Sequence, residues 1–170
     1  RFGEQAALAL VAEGSADATL LSLIDPALQA SGSSQVKARV TGTPTQPRIH
    51  GVIAVQDVNL GYSDLPFRLT GLSGEIALEG ERATLRSLKG TSGGGSVVLS
   101  GYATLAGTRR FDARMDLNNV RVQYPRDFTS VLGGSLRFIG TADRGQITGD
   151  LSVRQLFASD QFNLLAHLGE

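Results

Sequence analysis

The sequence predicts an all-β, mostly antiparallel fold with one short helix near the N-terminus. Three observations carry that prediction. Apolar residues recur at every second position over most of the 170 residues. Glycines head a recurring strand-like pattern. Helical spacing of apolar residues is found in one segment only.

That segment is 15–32, SADATLLSLIDPALQASG. Leu20, Leu21, Leu23, Ile24 and Leu28 give a mixed i, i+3, i+4 pattern, with Ser15 or Asp17 as N-cap. Pro26 removes a donor and clashes with the preceding turn, so the expectation is a short helix near 17–30, broken at Asp25-Pro26 and stopped by Gly32.

The strands follow in order. Leu8 and Leu10 mark the first, and Val36, Ala38 and Val40 the second. Ile49, Gly51, Ile53 and Val55 mark a third, followed by Phe67 with Leu69, Ile76 with Leu78, and Ala83 with Leu85. In Gly95-Ser-Val-Val-Leu-Ser-Gly101-Tyr-Ala-Thr-Leu105, the residues Val97, Leu99, Gly101, Ala103 and Leu105 share one parity. Gly101 leaves a gap on that apolar face where the strand could bend. Phe111, Ala113, Met115 and Leu117 alternate with Arg110, Asp112, Arg114 and Asp116, the pattern of a half-buried strand with a charged back. Parity flips at Asn118-Asn119, which calls for a turn or bulge, and Val120, Val122 and Tyr124 resume it. Leu136 with Phe138, Ile147, and Leu151 with Val153 complete the series.

Glycine, a variable residue, an aliphatic, a variable residue and an apolar residue recur from Gly51, Gly74, Gly95, Gly134 and Gly149. Spacings of about 20 residues suggest a β-solenoid or a long meandering sheet. No domain boundary stands out, so 1–170 reads as a single unit. The segments 41–48 and 105–110 are the most loop-like and are short enough to be turns. The 21 glycines exceed the usual ~7 % and sit between aliphatic alternations, which is unlike collagen or disorder.

Composition excludes several function classes. Lys plus Arg and Asp plus Glu are each 16, so there is no basic footprint for nucleic acid and no net charge toward an anionic surface. The absence of cysteine excludes disulfides and thiolate metal sites. The longest apolar run, Ala6 to Ala12, is far short of the ~18 residues of a membrane span, and it lacks the flanks of a signal peptide. The chain opens at Arg1 rather than Met, which fits a processed or excised segment of a longer protein.

No catalytic constellation emerges, and the chain reads as non-enzymatic. Gly90-Thr-Ser92-Gly-Gly94 formally matches G-x-S-x-G, but a nucleophile elbow needs a helix after the serine, and another strand follows here. The same glycines lack the Lys-Ser/Thr of a phosphate-binding loop. His50 and His167 lie far apart and have no ligand-spaced partner, so neither a metal nor a cofactor is expected. His50 reads as solvent-facing. Asp112 and Asp116, interleaved with arginines, read as cross-strand charge pairs rather than acid–base catalysts. With little helix to cover it, the apolar face must either pack in a sandwich or remain a curled, open trough. A long apolar strip of the second kind suits an acyl chain.

Several stretches then carry a resemblance. They are Asp17-Ala-Thr-Leu-Leu-Ser-Leu-Ile-Asp-Pro26, Val40-Thr-Gly-Thr43, Pro47-Arg-Ile-His-Gly51-Val-Ile-Ala-Val55, Leu69-Thr-Gly-Leu-Ser-Gly-Glu-Ile76, Gly93-Gly-Gly-Ser-Val-Val-Leu-Ser-Gly101, Val122-Gln-Tyr-Pro125 and Leu136-Arg-Phe-Ile-Gly140. Their order and spacing resemble the TamB family, translocation and assembly module proteins of diderm bacteria in the AsmA-like superfamily of bridge-like lipid transfer proteins. The resemblance implies an elongated curled sheet, a β-taco, with an apolar concave face. It implies a periplasmic segment of an inner-membrane-anchored protein that carries phospholipid from inner to outer membrane. It also implies an outer-membrane BamA-like barrel partner of the TamA type, engaged through other parts of the full-length protein. An alternative role is a scaffold that binds nascent outer-membrane proteins through its sheet edges.

On that reading, alternation puts Ile53, Val55, Ile76, Leu78, Val97, Leu99, Ala103, Leu105, Phe111, Met115, Leu136, Phe138, Leu151 and Val153 on the inner, groove-lining face. The helix would plug part of the trough or cover a sheet edge. A polysaccharide-active solenoid or lectin fits least, for want of clustered carboxylates and of any Trp.

Overall fold

The computed structural model describes residues 7–23, 26–44, 46–63, 68–125, 127–141 and 144–158. Ile24, Asp25, Phe67 and His167 lie outside the described residues. Nine strands form one antiparallel sheet whose spatial order is the chain order. They are β1 (Leu8–Asp17), β2 (Leu28–Gly42), β3 (Pro47–Tyr62), β4 (Arg68–Gly80), β5 (Arg82–Ser92), β6 (Gly95–Thr104), β7 (Arg110–Gln123), β8 (Phe128–Thr141) and β9 (Gly145–Ala158). The strands are long against the usual 5–6 residues. The 16 residues of β3 would span about 50 Å.

The helical segment is shorter than its sequence suggests. A 3-10 helix covers only Ala18–Leu23, while β1 runs through Asp17 and β2 begins at Leu28. Asp17 does cap it: its Oδ1 accepts the Thr19 N–H at 2.8 Å. Both flanks find better partners across the sheet. Ser15 and Ala16 pair with Gln35 and Ser34, and Leu28 and Ala30 stand opposite Tyr62 and Leu60. A helix broken at Pro26 cannot match those continuous ladders.

The register aligns the apolar parity from strand to strand. Val36, Ile53, Ile76, Leu85, Gly101, Ala113, Phe138 and Ile147 stand opposite one another from β2 to β9. A second row runs through Val55, Gly74, Leu88, Leu99, Met115, Leu136 and Gly149. Directly paired residues share a face, so these rows make one side of the sheet apolar. At Asn118-Asn119 the expected parity flip is a bulge: pairing shifts between Leu117 and Val120, and Asn119 has φ 56°.

The apolar face is buried by curling the sheet on itself. Leu28 of β2 and Phe138 of β8 line one common hollow. In a flat sheet those strands would be six spacings, nearly 30 Å, apart. Ala18, Val55, Val58, Leu72, Leu88, Val97, Met115 and Val120 meet in a single core cluster inside the curl.

Glycines make the curl sterically feasible. All five glycines that head the sequence repeat lie against a neighbouring strand's backbone. A Cβ on Gly51, Gly74, Gly95, Gly134 or Gly149 would stand 2.0–2.3 Å from a carbonyl oxygen of the adjacent strand. Gly101 is a further case, with φ +145° and the Asp112 carbonyl oxygen 2.2 Å from such a Cβ. The pairing between β5 and β6 shifts beside it, between Leu85 and Leu88. At Gly101, where the sequence allows a bend, the glycine and a register shift therefore stand side by side.

The opposite face is polar. Arg137 holds Asp112 across the β7–β8 ladder with Nη2–Oδ2 2.7 Å and Nε–Oδ1 2.9 Å. Arg114 pairs with Asp116 on its own strand at 2.9 Å, and Lys37 with Glu13 at 3.0 Å. The Arg82 guanidinium lies 3.7 Å above the Tyr102 ring centroid. His50 is exposed, as its parity suggests. The hydrogen bonds from Arg137 hold the Asp112 carboxyl below its ordinary value of 3.8.

Two predictions arise here. Gly101→Ala should destabilise the fold by about 1–3 kcal/mol in denaturant unfolding, because a left-handed φ and a backbone clash must both be absorbed. Gly14→Ala, with open space around the position and no left-handed φ, should be neutral or slightly stabilising. Secondly, a depressed folded-state pKa means that the Asp112 contribution is present at neutral pH and lost as pH falls below 3.8 through the folded value. Arg137→Gln should move the Asp112 carboxyl titration, followed by NMR, back up toward 3.8 and abolish that part of the acid sensitivity.

Candidate functional site

The inner face carries three apolar hollows whose walls follow β7. The first, about 260 Å³, lies at the Phe111 end and is lined by Ile76, Ala83, Leu85, Ala103 and Ala113 among others. The second, about 200 Å³, is bounded by Leu28, Leu60, Leu69, Met115 and Phe138. The third, about 310 Å³, extends past Met115 along Leu117, Val120 and Val122 to Leu132, Leu136 and Leu151. The last two share Leu69 and Met115. No charged side chain lines any of the three. Two larger hollows, about 510 Å³ beside Gln29 and Arg68 and about 570 Å³ beside Arg121 and Arg154, include charged and amide side chains in their walls and differ in kind.

The fourteen residues that alternation selects fall into three groups. Ile76, Ala103, Phe111, Met115, Leu136, Phe138 and Leu151 line the hollows. Val55, Leu78 and Val97 are buried, Val97 completely, and Ile53 and Leu99 pack against the core cluster. Leu105 lies just past β6, where its N–H bonds the Glu81 carbonyl, and with Val153 it is exposed. The curl thus seals part of the trough with side chains and leaves hollows along β7.

Sequence selection missed other lining residues. Leu69, Leu85, Leu117, Val120 and Val122 carry the same alternation and could have been included on that signal. Leu28 was assigned to the helix. Ser92 is polar, and no apolar pattern would select it, yet it is 2 % exposed and lines the third hollow. The 3-10 helix contributes Ala18 to the core cluster, while Leu20 points to solvent.

The groove surface is apolar and uncharged, with the ion pairs on the polar back. Among the described residues no group of three or more His, Asp or Glu side chains could hold a metal ion. No helix among them is long and apolar enough to cross a membrane.

Residues 81–157 match the family model described as the TamB C-terminal domain. The match covers β5 to β8 and nearly all of β9, which carry the Phe111-to-Leu151 wall of the groove. No curated protein and no solved structure gives a match. TamB is a non-enzymatic, envelope-associated family of outer-membrane assembly or lipid transport, whose members work with outer-membrane partners. The match supports a TamB-family fragment over residues 81–157.

Proposed function

We propose that this chain is a periplasmic segment of a lipid conduit, in which phospholipid acyl chains lie along the inner face on their way from the inner to the outer membrane. The observation that carries the reading is the line of uncharged apolar hollows along β7, from Phe111 to Val122. Each methylene moved from water into such a surface gains about 0.8 kcal/mol, so a groove holds an acyl chain with no bond chemistry. The headgroup would stay at the rim, in water. Inner-membrane anchoring and engagement of a BamA-like outer-membrane barrel of the TamA type would fall to other parts of the full-length protein.

A second reading is favoured by β9. It has one neighbour in the sheet, and all 14 of its residues are exposed, including Ile147, Leu151, Val153, Leu156 and Phe157. Such an edge could take up a nascent outer-membrane strand by β-augmentation.

Site-specific photo-crosslinking in cells tests the first reading. A photoreactive residue at Phe111 or Leu136 should capture phospholipid, and one at the outward-facing Arg114 should not; equal labelling at all three would overturn it. Leu151→Asp, at a lining position that is 48 % exposed, should abolish lipid transport while the circular dichroism and unfolding midpoint stay close to wild type. Proline scanning separates the two readings. Adjacent strand residues point their N–H groups in opposite directions, so of Ile147→Pro and Thr148→Pro, neither of which lines a hollow, one spares the β8 ladder. Loss of function in that milder variant, with groove substitutions silent, would favour the edge.

A further inference from the structure

Ser92 departs from the chemistry around it. It ends β5 on the groove side, where Leu88, Gly90 and Ser92 share a face. Its hydroxyl is buried and has no hydrogen-bond partner among the described residues. Buried hydroxyls are normally paired, because burial strips away their hydrogen bonds to water and leaves nothing in return. The local chain offers little help. Glycines follow at 93, 94 and 95, and Gly93 and Gly95 lie so close to the β7 backbone at Arg121 and Asn119 that no side chain could fit there. Ser92 lines the third hollow, of about 310 Å³, and Ser130 of β8 brings a second hydroxyl to the same wall. The remaining walls include Leu69, Val120 and Leu132.

The hollow selects a ligand by what it lacks. A phosphate or an ionised carboxylate would be desolvated here with no cation in the wall to offset the cost. A pure hydrocarbon would leave the Ser92 hydroxyl unpaired. A neutral acyl carbonyl meets both conditions: it accepts one hydrogen bond and continues into methylenes. At roughly the 30 Å³ that a water molecule takes in the liquid, the hollow admits about ten methylene-sized groups.

From this, and resting on the acyl-groove reading, we infer that Ser92 marks a lipid subsite, its hydroxyl turning into the hollow by rotation about χ1 and donating a hydrogen bond to an acyl ester carbonyl while the apolar walls hold the first part of the chain. Ser92 is then the point at which the groove reads the junction between headgroup and chain. It fixes depth along the trough, which apolar walls alone cannot do.

The test compares a short-chain diacyl phospholipid with its dialkyl ether counterpart, which lacks the carbonyls, binding to the intact protein. Wild type should bind the ester about tenfold more tightly, the effect of a hydrogen bond of about 1.4 kcal/mol. Ser92→Ala should bring ester binding down to the ether level and leave ether binding unchanged. The lipid-free Ser92→Ala protein should melt at or above the wild-type temperature, since an unpaired hydroxyl has been removed. If both lipids bind but Ser92→Ala does not change their ratio, the subsite is overturned and the groove stands. If neither lipid binds any variant, both are overturned. A free fatty acid arm separates the sources of the carbonyl: Ser92-dependent binding of the acid, without that of the ester, would overturn the ester assignment.

Discussion

The structure depends on how closely neighbouring strands can approach on the inside of a curled sheet. Bending a pleated sheet crowds its concave face, and the first atoms to collide are an inward Cβ and the carbonyl of the next strand. At Gly51, Gly74, Gly95, Gly101, Gly134 and Gly149 there is no room for that Cβ, because a backbone oxygen already stands within 2.0–2.3 Å of its place. Bulges beside several of these positions, such as that between Leu85 and Leu88, add local twist. The glycines weaken strand propensity in exchange for a shape that a flat sheet of Val and Leu could not take.

The curl in turn decides what the apolar rows become. A single sheet with one apolar face has no second layer to pack against. Here strands as distant as β2 and β8 meet over the inner face, and the fully buried Leu72 and Val97 supply the folding core. Hollows remain along β7 where side chains do not fill the space. Stability and binding thus draw on the same rows of residues. The polar back, with Arg137 holding Asp112 bidentately, keeps the outer side solvated and pins the β7–β8 register. The edges carry the opposite property: β1 and β9 each have one neighbour and are almost wholly exposed.

Most of the strands, their faces and the position of the β7 bulge can be read from the residues alone. A period of two is local information, written into each strand by its own residues, and Asn118-Asn119 interrupts it visibly. The repeat glycines were also legible, although their purpose was not. Legibility failed where partners distant in the chain decide the outcome. Leu28 to Gly32 fits a helix in isolation, yet pairing with β3 makes it strand. Val97 and Met115 look alike as alternating apolar residues, yet one is sealed in the core and the other borders two hollows. Ser92 carries no apolar signal, and the burial of its hydroxyl without a partner among the described residues is visible only in the structure. Period-two patterning fixes which way a side chain points. What stands opposite, and how far away, follows from the curvature of the whole sheet, and only the tertiary structure decides that.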